Sequence, residues 1–212
     1  MLPADHPSLT IECLRELLTS DNEALQVEAV RAVRESGLEE KNEILFRTAL
    51  NSDVSPAVRA EATVGLNADN PQRVVELVEL AGSDDGIMRR EALRSLYGVP
   101  LSVRQQESLN SAAASDGDEV FMLRRLTNPS VESERPSHDD LDRWLNEVPN
   151  SGDAAAGQRV FFHPRLANCG GCHRVAGRGE SIGPELTYIA RSMDRRKLLE
   201  TIQQPSREIA PH

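Results

Sequence analysis

Aromatic side chains are scarce, at 3% of the chain. A core cannot then be filled by Phe, Tyr and Trp, so at least one part must be packed from Leu, Val, Ile and Ala, as in stacked helices. Lysine is nearly missing, standing only at positions 41 and 197, so arginine supplies almost all of the positive charge. No apolar run has the length of a membrane span, and the opening MLPADHPSLT has neither the basic start nor the apolar stretch of a signal peptide. Cysteine occurs three times, an odd count that excludes a fully paired disulfide framework.

What is present exceeds one typical domain: 212 residues, 39% of them hydrophobic, enough for a core without a membrane span. The formal net charge of −10 is unevenly spread. Residues 151–212 hold nine Arg and Lys against six Asp and Glu, leaving 15 against 28 for residues 1–150. A nucleic acid is therefore excluded as a partner of the acidic N-terminal part.

That part carries a repeat. Ser20-Asp21, Ser52-Asp53, Ser83-Asp84 and Ser115-Asp116 are spaced 32, 31 and 32 residues apart, each after a short apolar run. The first three are followed by VEAVRAV, RAEATVGL and RREALRSL, in which Glu28-Ala29, Glu61-Ala62 and Glu91-Ala92 coincide; the fourth, EVFMLRRL, lacks Glu-Ala and reads as a degenerate terminal unit. Helical spacing of Ile11, Leu14, Leu17 and Leu18, then of Val27, Val30 and Val33, makes each unit a helix pair whose turn offers Ser or Asp as the cap of the second helix. One pair cannot bury its apolar face alone, whereas stacked pairs can, so the period points to an α-solenoid over residues 1–126 resembling HEAT-type repeats with a short period. An ordinary helical bundle is the competing reading. Cys13, within LTIECLRELL, reads as a buried inert thiol.

Residues 127–150 mix Pro, Ser and charge and read as a linker, with DDLDRWLNEV as a short helix anchored by Trp144 and His138 as a solvated side chain. The second domain covers residues 151–212. Its opening GDAAAGQRVFF is a predicted helix with Asp153 near the N-terminus. Then comes CGGCHRVAGRGESIGPEL, residues 169–186. Two thiols three residues apart on a helical turn suit the two vinyl groups of haem, and the adjacent His173 is thereby held under the iron as the proximal ligand. Gly170 and Gly171 leave room for the porphyrin, a carbonyl near Pro184 is expected to accept the other imidazole N–H, and Leu186 and Phe161 join the candidate contacts of one covalent haem c. A zinc site would need two more ligands, for which His163 and His138 do not form a second close pair. A thioredoxin-like pair would need a βαβ context that is missing.

GDAAAGQRVFF, CGGCHRVAGRGESIGPEL and LLETIQQPSREIAP together resemble the haem-binding c-type cytochrome domain found at the C-terminus of large planctomycete and verrucomicrobial proteins. The resemblance covers residues 151–212. It implies an all-α fold, electron transfer outside the cytoplasm, a periplasmic or otherwise exported setting, and further domains in a longer parent chain, including HEAT-like repeats and a propeller-type dehydrogenase-like domain. On that reading the sequence is an excerpt or mature form whose export signal lies elsewhere.

The ligand on the opposite haem face is the open question. Common cytochromes c donate a Met from a loop after the helix that DRRKLLETIQQP would form, and the sequence ends there. Candidates are a Met downstream in the parent, His212, His163 and Met193. A second protein ligand makes an electron carrier, whereas an open position admits small ligands. Arg191, Arg195, Arg196 and Lys197 offer either a solvated helix end or a face that steers an acidic redox partner. The expected function is single-electron transfer; the alternatives are a haem-free repeat scaffold that binds a protein and a haem sensor with an open distal site.

Overall fold

A computed structural model describes residues 6, 8–66, 68, 70–111, 117–127 and 135–207. The described residues are all-α, with eleven α-helices and no strand. None of these helices is long and apolar enough to cross a membrane. The chain forms two compact units, one of Met1–Pro129 with His163–Leu166, the other of Ser130–Phe162 with Ala167–His212.

In the first unit the helices come in pairs: α1 (Ile11–Leu18) with α2 (Glu23–Glu35), α3 (Lys41–Leu50) with α4 (Pro56–Val64), α5 (Pro71–Ala81) with α6 (Gly86–Ser95), and α7 (Val103–Ser111) with α8 (Gly117–Thr127). Successive second helices pack on one another, α2 on α4, α4 on α6 and α6 on α8. The reason is visible in each stripe. Leu14 of α1, Val30 and Val33 of α2, and Leu77 of α5 are fully buried in one continuous apolar cluster that runs to Leu123. Its buried members are Leu, Val, Ala and Met, as the shortage of aromatics requires.

The turns differ from the expected capping in one respect. The caps of the second helices are Asn22, Ser55 and Asp85, each of whose side chains accepts a first-turn N–H. Ser20 and Ser83 stand two residues earlier, their hydroxyls accepting the N–H of Asn22 and of Asp85. Ser20 and Ser83 therefore help build the turns that present the caps, whereas in the second unit of the repeat Asn51 Oδ1 accepts the Asp53 N–H. Ser115-Asp116 lies outside the described residues. Cys13 is only half-buried, because Leu14 takes the inward position of that helical turn.

The second unit holds α9 (Leu141–Glu147), α10 (Ala154–Phe161) and α11 (Arg195–Gln203). The helix within the expected linker is thus part of this unit and packs on α11. Arg195 donates to the carbonyls of Leu145 and Val148, Arg196 pairs with Asp142, and Trp144 Nε1 donates to Ser137 O at 3.1 Å. His138, read as solvated, lies 2.8 Å from Gln203 Oε1 through Nδ1. Among the described residues of this unit the only buried large apolar side chain is Leu141, while Ile182, Tyr188 and Ile202 are 79%, 64% and 73% exposed.

Candidate functional site

Cys169, Gly170 and Gly171 form a single 3-10 turn entered through Asn168, whose φ of 47° is left-handed. Asparagine tolerates that conformation better than most residues. The N–H groups of Cys172 and His173 both donate to Cys169 O, at 3.1 and 2.8 Å, so the two thiols and the imidazole share one tight turn of backbone. Both thiols are free; Cys172 is exposed and Cys169 half-exposed. They are available to react.

Residues 174–186 fold back over that turn. Val175 and Arg178 exchange backbone hydrogen bonds of 2.8 and 3.0 Å, Glu180 N donates to Gly170 O, Gly183 N donates to Cys172 O at 2.7 Å, and Leu186 N donates to Arg174 O. Ala176, itself at φ 51°, donates its N–H to Thr187 Oγ1 at 2.6 Å. The result is a carbonyl aimed at the imidazole: Pro184 O lies 2.9 Å from His173 Nδ1. That contact assigns the ring proton to Nδ1 and leaves Nε2 as the lone-pair nitrogen, which makes no hydrogen bond to a described residue. Gly183 is required for this approach, since a Cβ there would fall 2.6 Å from His173 Cε1 and 2.7 Å from Nδ1.

The ring that touches the turn is Phe162. A Cβ on Gly170 would meet Phe162 Cδ1 at 2.5 Å, and Phe161, the expected contact, instead packs edge-on against Phe162 with centroids 5.0 Å apart. α10 ends at Phe161, and Phe162 follows as its C-cap. Leu186 is half-buried beside this loop. The Arg195, Arg196 and Lys197 side chains are engaged by Leu145, Val148, Asp142 and Glu200, and Arg191 stacks on Tyr188 at 4.4 Å, so this cluster is tied into the unit.

The distal candidates separate clearly. His212 lies outside the described residues. Met193 is half-buried, immediately before Asp194, the cap of α11. His163 is 1% exposed within the first unit, and both ring nitrogens have partners, Ser95 Oγ at 3.4 Å and the N–H of Arg165 at 3.1 Å. Sequence reasoning gave no signal for this, because Ser95 is 68 residues away. Among the described residues no group of three or more His, Cys, Asp or Glu is placed to hold a metal ion. No protein-family model matches the chain, and no curated protein or solved structure does so either.

Proposed function

We propose that the second unit is a c-type cytochrome domain that passes single electrons through one covalent haem c. Cys169 and Cys172 would supply the two thioethers and His173 Nε2 the proximal iron ligand. Bound there, the haem would supply a reversible one-electron iron couple. The observation that carries this reading is the His173 Nδ1 to Pro184 O contact of 2.9 Å, made on the same turn that displays two free thiols. A neighbouring carbonyl that takes the Nδ1 proton fixes the ring and raises the donor strength of Nε2, as partners of metal-bound histidines do. A structural histidine on a loop has no need of that arrangement beside two reactive sulfurs.

The exposed apolar side chains support the same reading. A small unit whose described residues bury a single leucine, Leu141, lacks the core that holds such domains together. A bound porphyrin would cover Ile182 and Tyr188 of the return loop or Ile202 of α11, and would add the missing apolar contact. On the opposite haem face Met193 is the candidate that stands among the described residues. The first unit, whose paired helices stack one after another, supports a short-period HEAT-like repeat that carries the cytochrome domain within a longer exported protein.

Expression with an export signal and haem-maturation machinery, followed by acid extraction and a reduced pyridine haemochrome spectrum, tests the proposal. Haem that stays with the polypeptide supports it. An apoprotein with titratable thiols overturns it and favours the scaffold reading; CO binding by the reduced holoprotein would instead favour the sensor with an open distal site.

A further inference from the structure

Burial of an imidazole in a charged surrounding is unfavourable unless its nitrogens are satisfied and its own charge is absent. His163 meets both conditions. It belongs, with Pro164, Arg165 and Leu166, to the first unit, although the residues on either side in sequence belong to the second. Because Nδ1 accepts the Arg165 N–H, the ring proton sits on Nε2 and is directed at Ser95 Oγ on α6, 3.4 Å away. Ser95, itself 1% exposed, passes the chain on by donating to Thr63 O of α4 at 3.3 Å.

The charges around this site all bear on the imidazole. Arg34 of α2, Arg94 of α6 and Arg165 disfavour its protonation. Arg34 is held by Glu61 of α4 at 2.7 Å and by Glu35, Arg31 shares Glu61, and Arg94 pairs with Glu91. Glu61 and Glu91 are each 1% exposed. The carboxylates are thus engaged by arginines, and what faces the segment is a hydroxyl, a carbonyl and cationic edges. Such a surface suits a neutral imidazole and rejects an ammonium or imidazolium.

We infer that the row of second helices carries a docking site for a short turn, and that its occupant is this chain's own His163-Pro164-Arg165-Leu166, held by the imidazole in its neutral state. Pro164 follows the anchor in a turn that Leu166 N closes by donating to His163 O at 3.4 Å, and a proline there disfavours helical backbone at His163, consistent with α10 ending before it. The inference stands apart from the haem reading, since none of its residues takes part in that site. It also gives His163 a role other than iron ligation.

The test uses the full chain, with amide hydrogen exchange of His163, Arg165 and Leu166 and trypsin cleavage of the Arg165–Leu166 bond as readouts. In the wild type both are expected to be slow at pH 7, and His163→Ala is expected to raise both about tenfold while the amides of α4 and α6 keep their protection. Equal rates in wild type and variant would overturn the inference. Should His163→Ala lose its helical circular dichroism, Ser95→Ala removes only the hydroxyl, and a segment that stays fully protected in that variant would overturn it as well. In the wild type alone, exchange of the segment, corrected for intrinsic rates, is expected to accelerate between pH 6 and pH 4; an unchanged rate across that interval contradicts the requirement for a neutral ring.

Discussion

Gly183 and His173 approach so closely that the glycine's missing Cβ is what lets the imidazole meet Pro184 O: a methyl there would stand 2.6 Å from Cε1 of the ring. Neither group can move independently, because Gly183 N is tied to Cys172 O in the turn that carries the histidine.

Gly183→Ala is therefore expected to displace the ring from Pro184 and to destabilise the second unit by about 1–3 kcal/mol, the usual range for overpacking. In the haem-loaded protein the reduction potential should shift while covalent haem content stays high, because the thiols are untouched. Potentiometric titration alongside acid extraction checks this, and an unaltered potential would show that the Pro184 contact does not tune the ligand.

Replacing Cys169 and Cys172 together by Ala is expected to make all haem extractable by acidified organic solvent. His173→Ala should retain covalent haem and lose the low-spin absorption of the ferrous protein. The two variants act on different bonds, so spectra before and after extraction distinguish them. Haem retained by the double cysteine variant would sink the attachment proposal.

Glu61 is buried between Arg31 and Arg34, which reach it from α2 at 3.2 and 2.7 Å. Burial works against the Arg31 charge, but hydrogen bonding and attraction from Glu61, then Glu28, outweigh it and hold its pKa above the ordinary value. Glu61→Ala leaves two partly buried guanidiniums without that carboxylate. A loss of about 3–5 kcal/mol follows from breaking one side of a buried pair. Urea unfolding followed by circular dichroism measures it. Glu119, held by Arg89 and Arg90 of α6, is expected to behave likewise.

His163 sets an acid limit on the first unit. Desolvation, then Arg34, Arg94 and Arg165, lowers its pKa to about 4 from an ordinary 6.5. Between these values the unfolded chain binds the proton and the folded chain does not, so the contribution is complete above about pH 6.5 and is lost as pH falls toward 4. The full span amounts to about 3 kcal/mol. His163→Gln should flatten stability over that interval in chemical denaturation at stepped pH, and an identical slope in wild type and variant would refute the assignment.

The helix pairs of the first unit were legible because they depend on neighbours: apolar residues three and four apart, and a turn at nearly constant spacing. The aliphatic core followed from the shortage of aromatics, and the shared tight turn of Cys169, Cys172 and His173 from their short covalent spacing. A carbonyl near Pro184 was legible too, since only ten residues separate His173 and Gly183 and the loop has to return. The capping residues were displaced by two or three positions, because Asn22, Ser55 and Asp85 close their own turns better than the repeated pairs that precede them.

The tertiary structure alone decided the rest. Glu61 and Glu119 are buried by arginines 27 to 30 residues away, and no local pattern distinguishes such a carboxylate from a solvated one. Phe162, the cap that follows α10, is the ring that meets Gly170 of the turn. Most plainly, His163, one of several distal candidates by sequence, is buried against Ser95, a partner 68 residues away. Sequence encodes periodicity and short covalent spacing, whereas the partner of a buried polar group is chosen by which helices pack, and that choice is made only when the chain folds.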